Sequence, residues 1–141
     1  MIRTGNEKLD PRTLVLPVAA GESITEATMV AIGSDGYAVP ASAAASLTVA
    51  GAALEPADNR SGQDGDVQVR VRRGAFVFNN SATAANMVKE TDILKTCYIE
   101  DAVTVSMSST GSSPAGTILA VDDDGITVEF NQPTMPVGGG N

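Results

Sequence analysis

Few residue groupings in this sequence have types and spacing that could do chemistry. Asp122-Asp123-Asp124-Gly125 places three carboxylates beside a turn glycine, a pattern that invites a divalent cation. A calcium loop of the EF-hand kind with Gly125 at its sixth position would begin at Ala120 and end at Asn131, where acidic ligands are required. That leaves a looser oxygen-ligand site or an acidic hairpin turn in solvent. Asp64-Gly65-Asp66 fails the same test and reads as a loop turn. Arg70, Arg72 and Arg73 form a basic cluster, suited either to grip a carboxylate or acidic patch on a partner or to be the solvated face of a strand. Cys97 sits in a predicted strand. With no His in the chain to activate it, it reads as a small buried hydrophobe.

Other chemistries fail on residue type. With no His there is no Ser-His-Asp triad, no Cys-His pair and no His metal ligand. One Cys makes neither an intrachain disulfide nor a Cys-rich zinc site. Lys95-Thr96 lacks the glycines of a phosphate loop, and no helix follows Gly138-Gly139-Gly140. Asn59-Arg60-Ser61 and Asn79-Asn80-Ser81 match the glycosylation tripeptide, but such matches are common in Asn/Ser-rich turns. The absence of Trp and the scarcity of Tyr weaken a sugar-binding cleft, and sequence alone places no carboxylate pair for hydrolysis. The expectation is therefore no enzyme, no cofactor and no metal. A net charge of −8 argues against nucleic acid, because phosphates call for Lys and Arg. No apolar run approaches the roughly 20 residues of a membrane-spanning helix. The stretch Met1 to Lys8 lacks the apolar core of a secretory leader, so a soluble chain made inside the cell is expected.

Something must position these groups. At 141 residues the chain is expected to be one domain, able to bury roughly two-thirds of its unfolded surface. Leu, Ile, Val and Phe supply 32 residues, close to the fraction of about one fifth below which chains stay disordered. Val leads that group, which favours β structure. Residues 1–13 read as an extended arm, and Leu14-Val15-Leu16 as a short strand closed by Pro17. Residues 29–39 form a predicted hairpin turning on Asp35-Gly36, with Ile32 opposite Val39. Residues 118–128 repeat that pattern without a gap, through an old duplication or through two ordinary hairpins sharing one turn chemistry. Ser46 to Ala52 alternates as a strand, and residues 55–66 read as an exposed loop. In Val67-Gln68-Val69-Arg70-Val71-Arg72 three valines face one side, and Gly74 marks a bulge or bend. Ala75 to Phe78 continues as strand, with a turn at Asn79-Asn80-Ser81. Thr83 to Lys95 is the best helical segment, expected to be fragmentary because Thr91-Asp92 looks like a cap. Cys97 to Ile99 and Val103 to Met107 are further strands, the second alternating, and Ser108 to Pro114 is a loop. The sum is an all-β barrel or sandwich of short antiparallel strands with little helix.

The order of these motifs resembles the capsid cement, or head decoration, proteins of tailed bacteriophages. The resemblance rests on Gly21-Glu22-Ser23-Ile24 followed by Met29 to Gly33, and on the Val-rich run Val67 to Arg73 entering Gly74-Ala75-Phe76. It continues in Cys97-Tyr98-Ile99-Glu100-Asp101 before Val103, and in the closing hairpin Ala115 to Val128. It covers roughly residues 14–130. It implies a virion protein made in the host cytoplasm that sits on the outer capsid surface and staples major capsid subunits after expansion. Its implied partners are the major capsid protein and itself, as a homotrimer or a dimer, with no nucleic acid and no membrane. The expected organisation is an arm over residues 1–18, one β domain over 19–131 and a flexible tail over 132–141. The arm and the basic strand give the expected interface residues: Ile2, Arg3, Thr4, Leu9, Arg12, Leu14, Arg70, Arg72 and Arg73. The alternative is a receptor- or glycan-binding β module displayed on a surface.

Overall fold

The computed structural model describes residue 5 and residues 10–130. Ile2, Arg3, Thr4 and Leu9, and the expected tail over 132–141, lie outside the described residues. The protein is all-β. Its strands are β1 (Thr13–Pro17), β2 (Ser23–Ile24), β3 (Met29–Ile32), β4 (Ala38–Pro40), β5 (Thr48–Ala53), β6 (Ala57–Asp58), β7 (Gln68–Arg72), β8 (Ala75–Asn80), β9 (Thr96–Asp101), β10 (Thr104–Ser106), β11 (Pro114–Asp122) and β12 (Gly125–Glu129). They build a five-stranded sheet in the order β1-β7-β5-β3-β4, a closed five-stranded barrel in the order β10-β8-β12-β11-β9, and a ribbon of β2 and β6.

Alternation along β3 and β5 makes the sheet the middle layer. Met29, Ala31, Val49 and Ala52 pack with the barrel residues Phe78, Ile99, Ile118 and Val128. Val30, Ala50, Ala53, Val69 and Val71 point the other way and pack with Val18, Ile24 and Ala57. A strand buried on both faces is apolar throughout rather than alternating. This is why residues 49–53 are all buried, against the alternation expected from Ser46 to Ala52. Cross-strand packing of Ala and Val lets so few large residues fill two cores.

Several expectations change in the folded chain. The first hairpin pairs Ile32 with Ala38 and Ala31 with Val39, not Ile32 with Val39. Its loop spans Gly33 to Tyr37, because the Asp35 carboxylate accepts from the Tyr37 N–H and Gly33 donates to the Tyr37 carbonyl. The second hairpin closes on two residues, with Asp122 opposite Gly125. The two segments share residues but neither turn geometry nor sheet. Thr83 to Lys95 holds only two 3-10 turns, Ala84–Asn86 and Glu90–Asp92. Asn80 prevents a helix there: its side chain accepts from the Val88 N–H and donates to the Val88 carbonyl, both at 2.9 Å. Asn80 itself ends β8 rather than forming a turn. Thr104, Val105 and Ser106 are all buried, because β10 closes the barrel between β8 and β9. The expected exposed loop over 55–66 contains β6 and the buried Asn59. The stretch from Thr13 is also not wholly an arm: Thr13 to Pro17 pair with β7, and Val18 is buried in the second core. Leu14 and Leu16 lean on that core, which fixes the strand to its own chain.

Candidate protein-interaction surface

The groups singled out for chemistry separate into inert and exposed sets. Cys97 is buried, and its thiol faces the Gly116 carbonyl at 3.6 Å. Burial pushes the thiol pKa up to about 12, so there is little thiolate at neutral pH. Ellman's reagent is therefore expected to modify Cys97 only as fast as the protein unfolds. Prompt labelling of the native chain would contradict this burial. Asn59 is 1% exposed and its amide nitrogen is engaged, so the folded chain presents no acceptor there for a glycan. Asp122 and Asp123 line an open groove with Glu90 and Val121. No group of three or more potential metal-binding His, Cys, Asp or Glu residues occurs among the described residues. No helix among them is long and apolar enough to cross a membrane.

The arginines behave differently. Antiparallel pairing places Thr13 opposite Arg72 and Val15 opposite Arg70. The Arg73 N–H donates to the Arg12 carbonyl at 2.7 Å, and the Val18 N–H to the Val67 carbonyl at 2.9 Å. Hydrogen-bonded pairs alternate along an antiparallel ladder, so Arg12, Leu14, Leu16 and Val18 turn their backbone groups toward β7. Thr13 and Val15 then turn theirs to the outer edge, where Pro17 offers only a carbonyl. Among the described residues β1 has β7 as its one strand partner. Of the expected interface residues that are described, Leu14, Arg70 and Arg72 therefore lie on two adjacent strands, and Arg12 and Arg73 face each other just beyond their ends.

Their surroundings follow from the register. Ala52 pairs with Arg72 and belongs to the barrel-side core, so Arg72, Arg70 and Val15 share the barrel-side face where it projects past that core. Val15 is 56% exposed. Arg70 reaches Glu55 at 3.2 Å, and Arg72 reaches Asp10 at 3.8 Å. Asp10 also accepts from the Thr13 hydroxyl at 2.8 Å and from the Arg12 N–H, which fixes the start of β1. The Arg70 guanidinium holds the Glu55 carboxyl below its usual range. That pair is exposed, so its slight contribution is present above the ordinary carboxylate range and fades as pH falls. Arg12 and Arg73 make no ion pair among the described residues. Four of the six arginines thus gather at one margin of an acidic protein. Sequence reasoning did not single out Val15, Glu55 or Asp10. The Leu14-Val15-Leu16 triplet carried the signal for Val15, since alternation turns the middle residue away from the core.

Comparison of the chain with protein-family models, with curated proteins and with solved structures finds no match in any of the three. What the fold defines is an all-β module with four arginines gathered on and beside β1 and β7.

Proposed function

We propose that this chain is a structural virion protein that decorates a phage capsid and cements neighbouring major capsid subunits after expansion. In this reading it is made in the host cytoplasm, assembles with itself as a homotrimer and lies on the outer surface of the shell. The order of motifs from Gly21 to Val128 suggested the reading. The observation that carries it is the gathering of Arg12, Arg70, Arg72 and Arg73 beside a strand edge that has no strand partner among the described residues, in an acidic chain. Such a margin suits a protein partner, and the acidic remainder does not adhere to DNA. A protein that binds only the expanded lattice stabilises it by mass action. The glycan-binding alternative has less support. Of five aromatic residues, Phe78 and Phe130 are spent on each other in the barrel core, with ring centroids 5.7 Å apart.

The test is sedimentation of the purified chain with unexpanded and expanded shells of the phage that encodes it. The chain is expected to pellet with expanded shells only. If it stays in the supernatant with both, the proposal fails. Removing residues 1–12 takes away Arg12 and the Asp10 contacts that fix β1, and reduced occupancy on expanded shells is expected. Undiminished occupancy would exclude a role for this segment.

A further inference from the structure

We infer that the outer edge of β1 binds an acidic, extended polypeptide segment as a sixth strand of the sheet. This deepens the proposed function by naming the partner chemistry at the same surface. Three observations converge on it. First, the register turns the backbone groups of Thr13 and Val15 to the side of β1 away from β7. An edge of this kind templates pairing with another chain, and natural edges are usually blunted by charges, proline, bulges or short strands; in β1 the one such device is Pro17 at its last position, which leaves Thr13 and Val15 to pair. Here β1 runs five residues with no charged side chain, and its ladder with β7 has no bulge. Second, the side chains that would lie beside an added strand are apolar or basic. Val15 is exposed on the barrel-side face, and Arg70 and Arg72 stand on that face one strand further in. Third, charge selects the partner. On the barrel-side face Arg70 and Arg72 stand against Glu55 and Asp10 in weak exposed pairs, and Arg12 and Arg73 add two further positive charges at the end of the same ladder, while the chain as a whole carries −8. A second copy pairing through this same edge would bring another uncharged β1 and a second set of arginines, basic against basic. An acidic strand from another protein meets this basic margin, and its carboxylates replace the weak exposed contacts to Glu55 and Asp10.

Strand addition divides the work in a known way. Main-chain hydrogen bonds provide affinity and alternate side chains provide selectivity. A segment alternating acidic and β-branched residues fits both: its acids lie along the face of Arg70 and Arg72, and its apolar residues continue the row of Leu14 and Leu16.

The experiment uses the full chain and three labelled octapeptides: alternating Glu-Val, alternating Lys-Val, and the Glu-Val peptide N-methylated at every second residue along its pairing edge. Binding is read by fluorescence anisotropy and by amide chemical shifts. The Glu-Val peptide is expected to bind saturably, with its largest shifts at Thr13 and Val15 and with affinity falling as salt rises. The Lys-Val and N-methylated peptides are expected not to bind. The exposed double substitution Arg70→Glu with Arg72→Glu is expected to weaken Glu-Val binding about tenfold or more, with only a small drop in melting temperature because the pairs it reverses are exposed. Equal binding of the N-methylated peptide, or shifts centred away from β1, would overturn strand addition. Equal binding of the Lys-Val peptide would overturn the charge selection. Concentration-dependent dimerisation through the same amides would assign the edge to a second copy and overturn the acidic partner. None of these readouts uses capsids, so they stand or fall separately from the sedimentation test.

Discussion

Replacing Gly51 with alanine is expected to cost about 3 kcal/mol of folding stability, a large share of what a small domain possesses. Gly51 lies in β5 with φ of +152°, at a bulge where Val30 pairs with Gly51 and Ala31 with Val49. A side chain there is strained in any surroundings. These surroundings are also closed: a Cβ would overlap the Arg72 carbonyl oxygen, lie 2.9 Å from the Arg72 carbonyl carbon and sit 3.1 Å from a Val71 methyl. Two of the three obstacles are backbone, which cannot swing aside. Relief requires moving β7 away from β5, and β1 is attached to the sheet through β7. The loss is therefore expected to appear as a urea midpoint lower by about 1–2 M and as weaker binding at the arginine margin. Gly111→Ala is the control. Gly111 also has positive φ, at +67°, but nothing lies within 4 Å of its added Cβ. Its cost should stay near 1 kcal/mol. Equal effects at the two glycines would show that β5 and β7 do not approach so closely.

What the sequence disclosed and what it hid divide along the range of the interactions. Val67 to Arg72 was legible because one face is buried and the other is not, and a period of two then appears in the residue types. β5 lost that signal because both its faces are buried, between cores supplied by residues far away in the chain. The segment after Ser81 reads as helix on local grounds. A single side chain, Asn80, holds Val88 extended through two hydrogen bonds that no periodicity reveals. The two Asp-Gly hairpins look alike in sequence but differ in loop length, because the Asp35 side chain closes one turn onto Tyr37. For the candidate surface, the residue types Arg70, Arg72 and Arg73 were visible and their company was not. Arg12 joins them only through the β1–β7 register, and Glu55 reaches Arg70 only because Leu54 pairs with it across β5 and β7. Composition removed the side chains that most catalytic sites use; topology is what gathers the charges on one margin.

The second large effect is expected at Asn59, where replacement by aspartate changes one amide nitrogen to oxygen. Asn59 is 1% exposed at the junction of three segments. Its amide nitrogen donates to the carbonyls of Val18 at 3.0 Å, Ala19 at 3.2 Å and Gln63 at 2.9 Å. Its backbone N–H donates to Glu22, and its carbonyl accepts from Gly21 and Gly62. A Cβ at Gly62 would overlap the amide oxygen, which is buried and accepts no hydrogen bond among the described residues, so the amide nitrogen alone anchors the side chain. A carboxylate in this place has the same shape and the wrong sign. It meets three carbonyl oxygens with no donor, away from water, and the expected cost is about 3–5 kcal/mol at neutral pH. Folding then favours the protonated carboxyl, which recovers one donor, so the folded-state pKa of the new group lies above its unfolded value near 4. A raised pKa gives stability that is present below the unfolded value and lost as pH rises, so the deficit of Asn59→Asp should be smallest in acid and grow toward neutrality. Asn59→Ala removes the donor without adding a charge, and its cost of about 2–3 kcal/mol should stay level with pH. Denaturation of both variants and the parent at pH 4 and pH 7 separates the two effects. A pH-independent deficit for the aspartate variant would show that the three carbonyls do not converge on this nitrogen. The junction also bears on the interaction surface, because Val18 directly follows β1. A chain that loses the Asn59 clamp frees the end of the strand whose open edge is the proposed docking line.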